Sequence, residues 1–451
     1  MKDRVISWVP GFAATLDADS PGAELMVLAV IVQLIVIIVT ARVFAVLFRK
    51  LGQPTVVGEI AAGLALGPSC LGKLFPGASA WIFDPNTKSV FEVISQIGLI
   101  FLLFLVGSDC DFGHLKNRRR AALGISLMGV ALPFALGWVL AYGLFPHLET
   151  PPDWPSLDMS GFALFIGTAM SITAIPVLGR IMMELNITRS RIGTITMTAA
   201  AIDDFTGWIL LGAVGALVRA NFDIGNTLRT IAMTVAFILV MVFVARPLLR
   251  RWARWVLDRQ GGALESGSVG VVIILVLLCS AVTNLIGIFS VFGAFVFGAT
   301  LSTERELCDR VAQQLRPFVT VFFLPIFFTF TGLKTDVGTL SGTYLWMFAI
   351  VVLLAAIVGK FGGCSAAAWF GGFPPREAAC IGILMNTRGL MELVVANVGL
   401  QLRVIPPSVY CMLVLMALIT TAMATPVVLR LSRNTELEPF VARSSFGRRR
   451  E

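Results

Sequence analysis

A chain of 451 residues that is 57% hydrophobic and 14% charged falls well short of the roughly 25% charged residues of a soluble protein. Its formal charge of +8 would suit a nucleic-acid partner, but the basic residues follow a membrane pattern instead, so none is expected. Seven cysteines without a C-x-x-C pair, and two loop histidines, His114 and His147, offer no disulfide framework, no zinc site and no cofactor.

Residues 1–24 are mixed and polar, lack the basic start and short apolar core of a signal peptide, and read as an extracytoplasmic segment. Thirteen apolar stretches follow, at about 25–48, 54–70, 90–107, 121–145, 160–183, 191–218, 228–248, 268–286, 288–302, 311–332, 343–370, 376–400 and 406–430. Each is read as a helix crossing about 30 Å of hydrocarbon, which makes the chain an all-α polytopic membrane protein. Assigning every Lys and Arg except Lys360 and Arg388, which lie within spans 11 and 12, to the nearer span end puts 25 on the side of the C-terminal tail and 8 on the other. The excess predicts an N-terminus outside and a C-terminus in the cytoplasm, in the inner or plasma membrane. Loops are short, and none is long enough for a separate soluble domain. The polar tail 432–451 ends in three arginines and is expected to be solvated and mobile, with a basic end suited to anionic lipid.

Two pairs of stretches echo each other. An offset of 225 aligns Gly107, Asp111, Gly113 and Leu115 of span 3 with Gly332, Asp336, Gly338 and Leu340 of span 10. An offset of 235 aligns Gly58, Gly63 and Leu66 of span 2 with Gly293, Gly298 and Leu301 of span 9. Spans 3 and 10 run in opposite directions, so the repeat is inverted. That is the plan of many secondary transporters, whose site lies at mid-membrane where interrupted helices meet.

Spans 5 and 12 carry interruptions. Pro176, in SITAIPVLG, cannot donate to the carbonyl of Ile172, and the hydroxyls of Ser171 and Thr173 flank that carbonyl. Such a group suits a partly dehydrated cation, or else is a proline kink patched by its own hydroxyls. In MNTRGLMELVV of span 12, Asn386, Thr387, Arg388, Gly389 and Glu392 enter the membrane. Arg388 and Glu392 are four residues apart and can pair on one helical face. Alternatively, Arg388 neutralises the carbonyl end of a half-helix. The two broken helices occupy matching places in the two halves and are expected to cross.

Asp203 and Asp204, in AAAIDDFTGWILLG, lie about a dozen residues into span 6, roughly 18–20 Å deep at 1.5 Å per residue. A carboxylate at that depth costs at least about 2.5 kcal/mol, so an adjacent pair points to function. Lys360 lies mid-span in AAIVGKFGG and needs a buried partner: the aspartates, or else Glu392 or a phosphate near the interface. A carboxylate holds a proton or a cation, hardly both, and a carrier that cannot cross doubly charged and unloaded exchanges one for the other. Asp204 is read as the principal cation and proton site, with Asp203 and Thr173 as further cation ligands and Lys360 as the charge partner of Asp203.

These residues also carry a resemblance. QPTVVGEIAAGLALGPSCLG (53–72), MSITAIPVLGRI (170–181), the aspartate pair, FFLPIFFTFTGL (322–333), Lys360 and MNTRGLMELVV (385–395) resemble, in order, the monovalent cation:proton antiporters of the Kef-type and plant branch. The resemblance covers nearly the whole chain. It implies the sodium/proton antiporter-like fold with crossed discontinuous helices, homodimers and elevator-like alternating access. It also implies transport helices at about 90–218 and 311–430 and dimerisation helices at about 25–70 and 228–302. The aspartate pair with a buried lysine resembles the electrogenic exchangers, whereas electroneutral ones usually show Asn-Asp. The large cytoplasmic domain of Kef and plant relatives has no match here, so nucleotide-linked regulation is not expected. A cation channel and a sodium-coupled organic-anion symporter are the competing readings. An intramembrane aspartyl protease needs its two acids on separate helices, and here they are adjacent.

Overall fold

Within lipid a single segment can satisfy its peptide groups only as a helix, and these apolar stretches are helical. The computed structural model describes residues 22–83, 87–108, 119–148, 158–188, 190–219, 224–260, 265–442 and 444. The expectations for Asp111, Gly113, His114, Leu115, the first 21 residues and the terminal arginines lie outside the described residues.

The first half holds α1 (Gly22–Lys50), α2 (Thr55–Leu66), α3 (Lys88–Ser108), α4 (Arg119–Leu144), α5 (Met159–Ser171), α6 (Ile175–Glu184) and α7 (Arg191–Arg219). Then come α8 (Ile224–Val240), α9 (Arg246–Gln260), α10 (Ser266–Ile286), α11 (Ser290–Leu301), α12 (Arg305–Phe318) and α13 (Leu324–Leu333). The chain closes with α14 (Thr343–Ile357), α15 (Gly363–Phe370), α16 (Pro375–Met385), α17 (Leu390–Gln401) and α18 (Pro407–Leu431). Single π turns join α8 to α9, α12 to α13 and α14 to α15.

Among the described residues, ten helices are long and apolar enough to cross a membrane. The other three expected spans differ for local reasons. Span 9 is the 12-residue α11, and spans 5 and 12 are each split in two, as α5–α6 and α16–α17. The tail departs from expectation in its first half. Leu437 and Val441 are buried, Glu438–Ala442 is helical, and a Glu436 carboxyl oxygen accepts from the Arg191 amide at 2.5 Å. Three apolar side chains within five residues (Leu437, Phe440 and Val441) are enough to fold the segment back.

The repeat is visible as packing. A Cβ on Gly63 would lie 2.1 Å from the Thr329 carbonyl oxygen, and one on Gly298 would lie 2.2 Å from that of Phe104. A Cβ on Gly332 would meet the Ile60 oxygen at 2.4 Å, and one on Gly107 the Phe295 oxygen at 2.3 Å. The sequence offsets map Gly63 onto Gly298, Phe104 onto Thr329, Ile60 onto Phe295 and Gly107 onto Gly332. The α2–α13 crossing and the α3–α11 crossing are therefore one contact made twice, in opposite orientation.

Helices α4, α5, α7 and α14–α18 pack on one another, while α1 and α13 lie on α2, and α3 and α10 on α11. The expected grouping put spans 3 and 10 with the transport helices. In the structure each packs most extensively on a helix of the other set, because the glycine contacts bring their backbones together there.

Candidate functional site: crossed helix breaks around an aspartate pair

The first break separates two half-helices. Asp158 caps α5 by accepting from the Gly161 amide at 2.6 Å. Ile172 and Ala174 are extended, and α6 restarts with Pro176 in its first turn, where a missing N–H costs nothing. The second break turns at Gly389, whose φ of +152° favours glycine. A Cβ there would also lie 3.1 Å from Val177 of α6. The breaks cross. The Ala174 amide donates to the Thr387 carbonyl at 3.2 Å, and the Thr173 hydroxyl oxygen stands 3.2 Å from the Met385 carbonyl oxygen.

Arg388 closes the carbonyl end of α5. Its guanidinium donates to Met170 O at 2.7 Å and Ala169 O at 3.2 Å, while Glu392 stands 3.8 Å away, beyond hydrogen-bonding distance. The half-helix reading of Arg388 thus describes its nearer contacts, and the pairing with Glu392 its farther one. Thr421 of α18 braces the turn, accepting from the Arg388 amide at 3.1 Å and donating to its carbonyl.

Asp203 and Asp204 lie on α7 beside this crossing. One Asp203 oxygen accepts from the Thr173 hydroxyl and from the Lys360 ammonium, the latter at 2.6 Å. Lys360 also donates to the Ser171 carbonyl. It stands in the π turn Val358–Gly362, a widened turn of the kind that often marks functional sites. Of the open partners for Lys360, the structure gives it Asp203. Neither Asp204 oxygen has a hydrogen-bond partner, nor has the second Asp203 oxygen or the Asn386 side-chain amide.

Two hydroxyls turn away from the site. The Ser171 hydroxyl turns back to the Thr168 carbonyl at 2.8 Å, so its carbonyl rather than its hydroxyl faces the site. The Thr387 hydroxyl likewise returns to Leu384 O at 2.8 Å, leaving its carbonyl to the crossing. One residue was missed: Thr421 carries no sequence signal, since hydroxyls in membrane helices commonly bond back to their own turn.

The electrostatic balance follows from these five ionisable side chains. Asp203, Asp204, Glu392, Lys360 and Arg388 are each at most 1% exposed. Three acids face two bases, so full ionisation leaves one negative charge that a single proton or monovalent cation would cancel. Cavities of about 730 Å³ and 110 Å³ open toward opposite ends of α1 and α13. The first is lined by Gln33, Lys334 and Tyr410 among others, the second by Arg42, Arg49 and Glu59. Neither is lined by the aspartates, which are occluded in this state.

An inverted repeat, two crossed helix breaks and occluded mid-membrane acids define a secondary transporter rather than an enzyme. The chain belongs to the sodium/hydrogen exchanger family, whose model, described as "Sodium/hydrogen exchanger, transmembrane", matches residues 35–431. It is 38% identical over 406 residues to the Na(+)/H(+) antiporter NhaS4 of Synechocystis sp., covering 90% of this chain and 97% of that protein. It is 37% identical to cation/H(+) antiporter 18 of Arabidopsis thaliana and 30% identical to K(+)/H(+) antiporter 1 of Saccharomyces cerevisiae. The chain spans about half the length of these two, 48% and 45%. The sodium proton antiporter MjNhaP1 of Methanocaldococcus jannaschii shares the fold, with a TM-score of 0.64 and 16% identity over 92% of this chain and 99% of that one.

Proposed function

We propose that the chain exchanges a monovalent cation, Na+ or K+, for protons at Asp203 and Asp204. The observation that carries this reading is the excess acid: Asp204 is buried without a partner among three acids and two bases. An uncompensated carboxylate at this depth is too costly to move through the occluded state. The site therefore passes through that state with a proton or a cation aboard, and competition between them is exchange. The names of the relatives, covering Na(+)/H(+), K(+)/H(+) and cation/H(+) antiporters, support the class without choosing the ion.

In this scheme the cation takes Asp204, with Asp203 and the Thr173 hydroxyl as further ligands, and its arrival releases Lys360 from Asp203. Helices α4–α7 and α14–α18 form the moving set against α1–α3 and α8–α13. Exposed stripes such as Val27, Ile31, Ile35, Val39 and Val43 on α1 suit lipid and a second copy in a homodimer. The charge asymmetry supports a multi-pass arrangement in a plasma or inner membrane with the C-terminus on the cytoplasmic side.

The test is proton flux in reconstituted vesicles under Na+, K+ and Li+ gradients. Asp204→Asn, checked for a monodisperse elution profile, is expected to fall to the protein-free background, and retained exchange would refute the assignment. Currents far above carrier turnover would favour a channel, and sodium uptake dependent on an organic anion without proton flux would favour a symporter.

A further inference from the structure

The larger cavity plays no part in the exchange scheme, and it lies where the two helix sets meet. Gln33 of α1, Phe91 of α3 and Phe330 of α13 wall it on one side, and Leu400 of α17 and Tyr410 of α18 on the other. Its volume of about 730 Å³ falls within the range of small-molecule sites, roughly 300–1,000 Å³. Polarity is graded with depth. Lys88 opens α3, Lys334 follows the end of α13 and Arg403 lies just past α17, so three bases gather where these helices end. Phe91, Phe330 and Tyr410 stand about one turn further in, and the Phe91 and Phe330 rings stack with centroids 6.1 Å apart.

Glu92 is the one acid among the described lining residues. It bridges Lys334 at 2.8 Å, and the Lys334 ammonium also sits 4.6 Å over the Phe330 ring. The lining thus carries two more positive charges than negative, a balance that repels a cation and draws an anion. Gln33 adds a donor. It is 1% exposed, its side-chain carbonyl accepts from the Thr87 hydroxyl at 2.8 Å, and its side-chain nitrogen finds no partner among the described residues. Thr87 directly precedes Lys88, so this amide lies at the basic mouth. A buried donor left unpaired is costly, and an acceptor entering the cavity relieves it.

We infer that this cavity binds a single-chain anionic amphiphile, a long-chain carboxylate, with its head at the mouth and its chain among the aromatic rings. A carboxylate has lone pairs enough to accept from the Lys88 ammonium, the Arg403 guanidinium and the Gln33 amide together. The volume takes one chain rather than the two of a phospholipid. Because the walls come from both helix sets, a bound ligand braces one set against the other and slows exchange. The binding stands apart from the antiport reading, and the bracing rests on it.

Binding is read as the rise in melting temperature of the full chain in phosphatidylcholine nanodiscs titrated with dodecanoate. Dodecanoate is expected to stabilise the protein, and dodecanol, dodecyltrimethylammonium and acetate are not. Lys88→Gln combined with Arg403→Gln should raise the half-saturating concentration at least about tenfold, and Gln33→Leu about fivefold, while Lys88→Arg stays within about twofold of wild type. Lys88 and Arg403 are exposed, so changing them leaves the core intact. Equal stabilisation by dodecanol, or unaltered half-saturation in the double variant, would overturn the site. Tighter binding of lysophosphatidate than of dodecanoate would overturn the carboxylate head in favour of a phosphate. Dodecane sulfonate, which carries no proton, tests the bracing: it should slow cation-driven proton flux in wild type and need about tenfold more in the double variant. Flux unslowed at saturating sulfonate would overturn the bracing. Wild-type protein without any ligand that shows no such flux would instead overturn the antiport reading, with the binding still decided by the melting temperatures.

Discussion

Lys360 and Asp203 illustrate how a membrane interior tolerates charge. The ammonium is wholly buried, 2.6 Å from the carboxylate, and its remaining contact is a helix-end carbonyl freed by the first break. Breaking a buried pair by removing one member costs about 3–5 kcal/mol, because the other is left bare, whereas replacing both is often neutral. Lys360→Ala is therefore expected to lower stability by that order, and Asp203→Asn combined with Lys360→Met to recover most of it. Thermal unfolding in detergent compares the two, and a double variant no more stable than the single one would contradict the pairing. The pair was legible in outline, since a mid-span lysine must have a partner, but two aspartates and a glutamate were all within the sequence's reach. Only the fold decides among them, by bringing the π turn of α14–α15 to the first break.

At the scale of elements, the interruptions were legible because Pro176, Gly389 and a polar run inside apolar stretches contradict a continuous helix. What joins the breaks was not. The Ala174 amide and the Thr387 carbonyl are backbone groups, and any residue at those positions supplies them. The inverted repeat was legible through glycines, since close helix approach demands them at particular positions, yet their partners across the interface came only with the structure. Gly63→Ala and Gly298→Ala put a methyl group 2.1–2.2 Å from a backbone oxygen on the facing helix. Overpacking of this kind typically costs about 1–3 kcal/mol, more than the roughly 1 kcal/mol that alanine gains over glycine in a helix. Both variants should be destabilised, and by similar amounts, because the contacts are equivalents under the repeat. Gly212→Ala, with nothing within 4 Å of the added carbon, should be tolerated or slightly stabilising. Melting temperatures of the three variants test this, and a silent Gly63→Ala beside a damaging Gly298→Ala would break the proposed symmetry.

For the whole molecule, the proposed exchange moves the two helix sets relative to each other, and on that scheme contacts between them are remade in every cycle. Several such contacts are small and polar or aromatic rather than extensive. Trp208 stacks on Phe295, and Phe289 sits against Gly215. Near the floor of the larger cavity, the Tyr410 hydroxyl donates to the Thr331 carbonyl at 3.2 Å, and the Asn397 amide donates to the Thr331 hydroxyl at 3.3 Å. These hydrogen bonds tie α17 and α18 to α13, and each is individually worth only about 0.5–1.5 kcal/mol, weak enough to break on the timescale of transport. Cysteines at Thr331 and Asn397, in a background with the native cysteines replaced, lie close enough for a mercury bridge. Bridging is expected to stop cation-driven proton flux, and dithiothreitol to restore it, with the unbridged double variant active throughout. Flux that persists in fully bridged protein would mean that α17 and α13 stay together during the cycle, and the dividing line between moving and fixed helices would then run elsewhere.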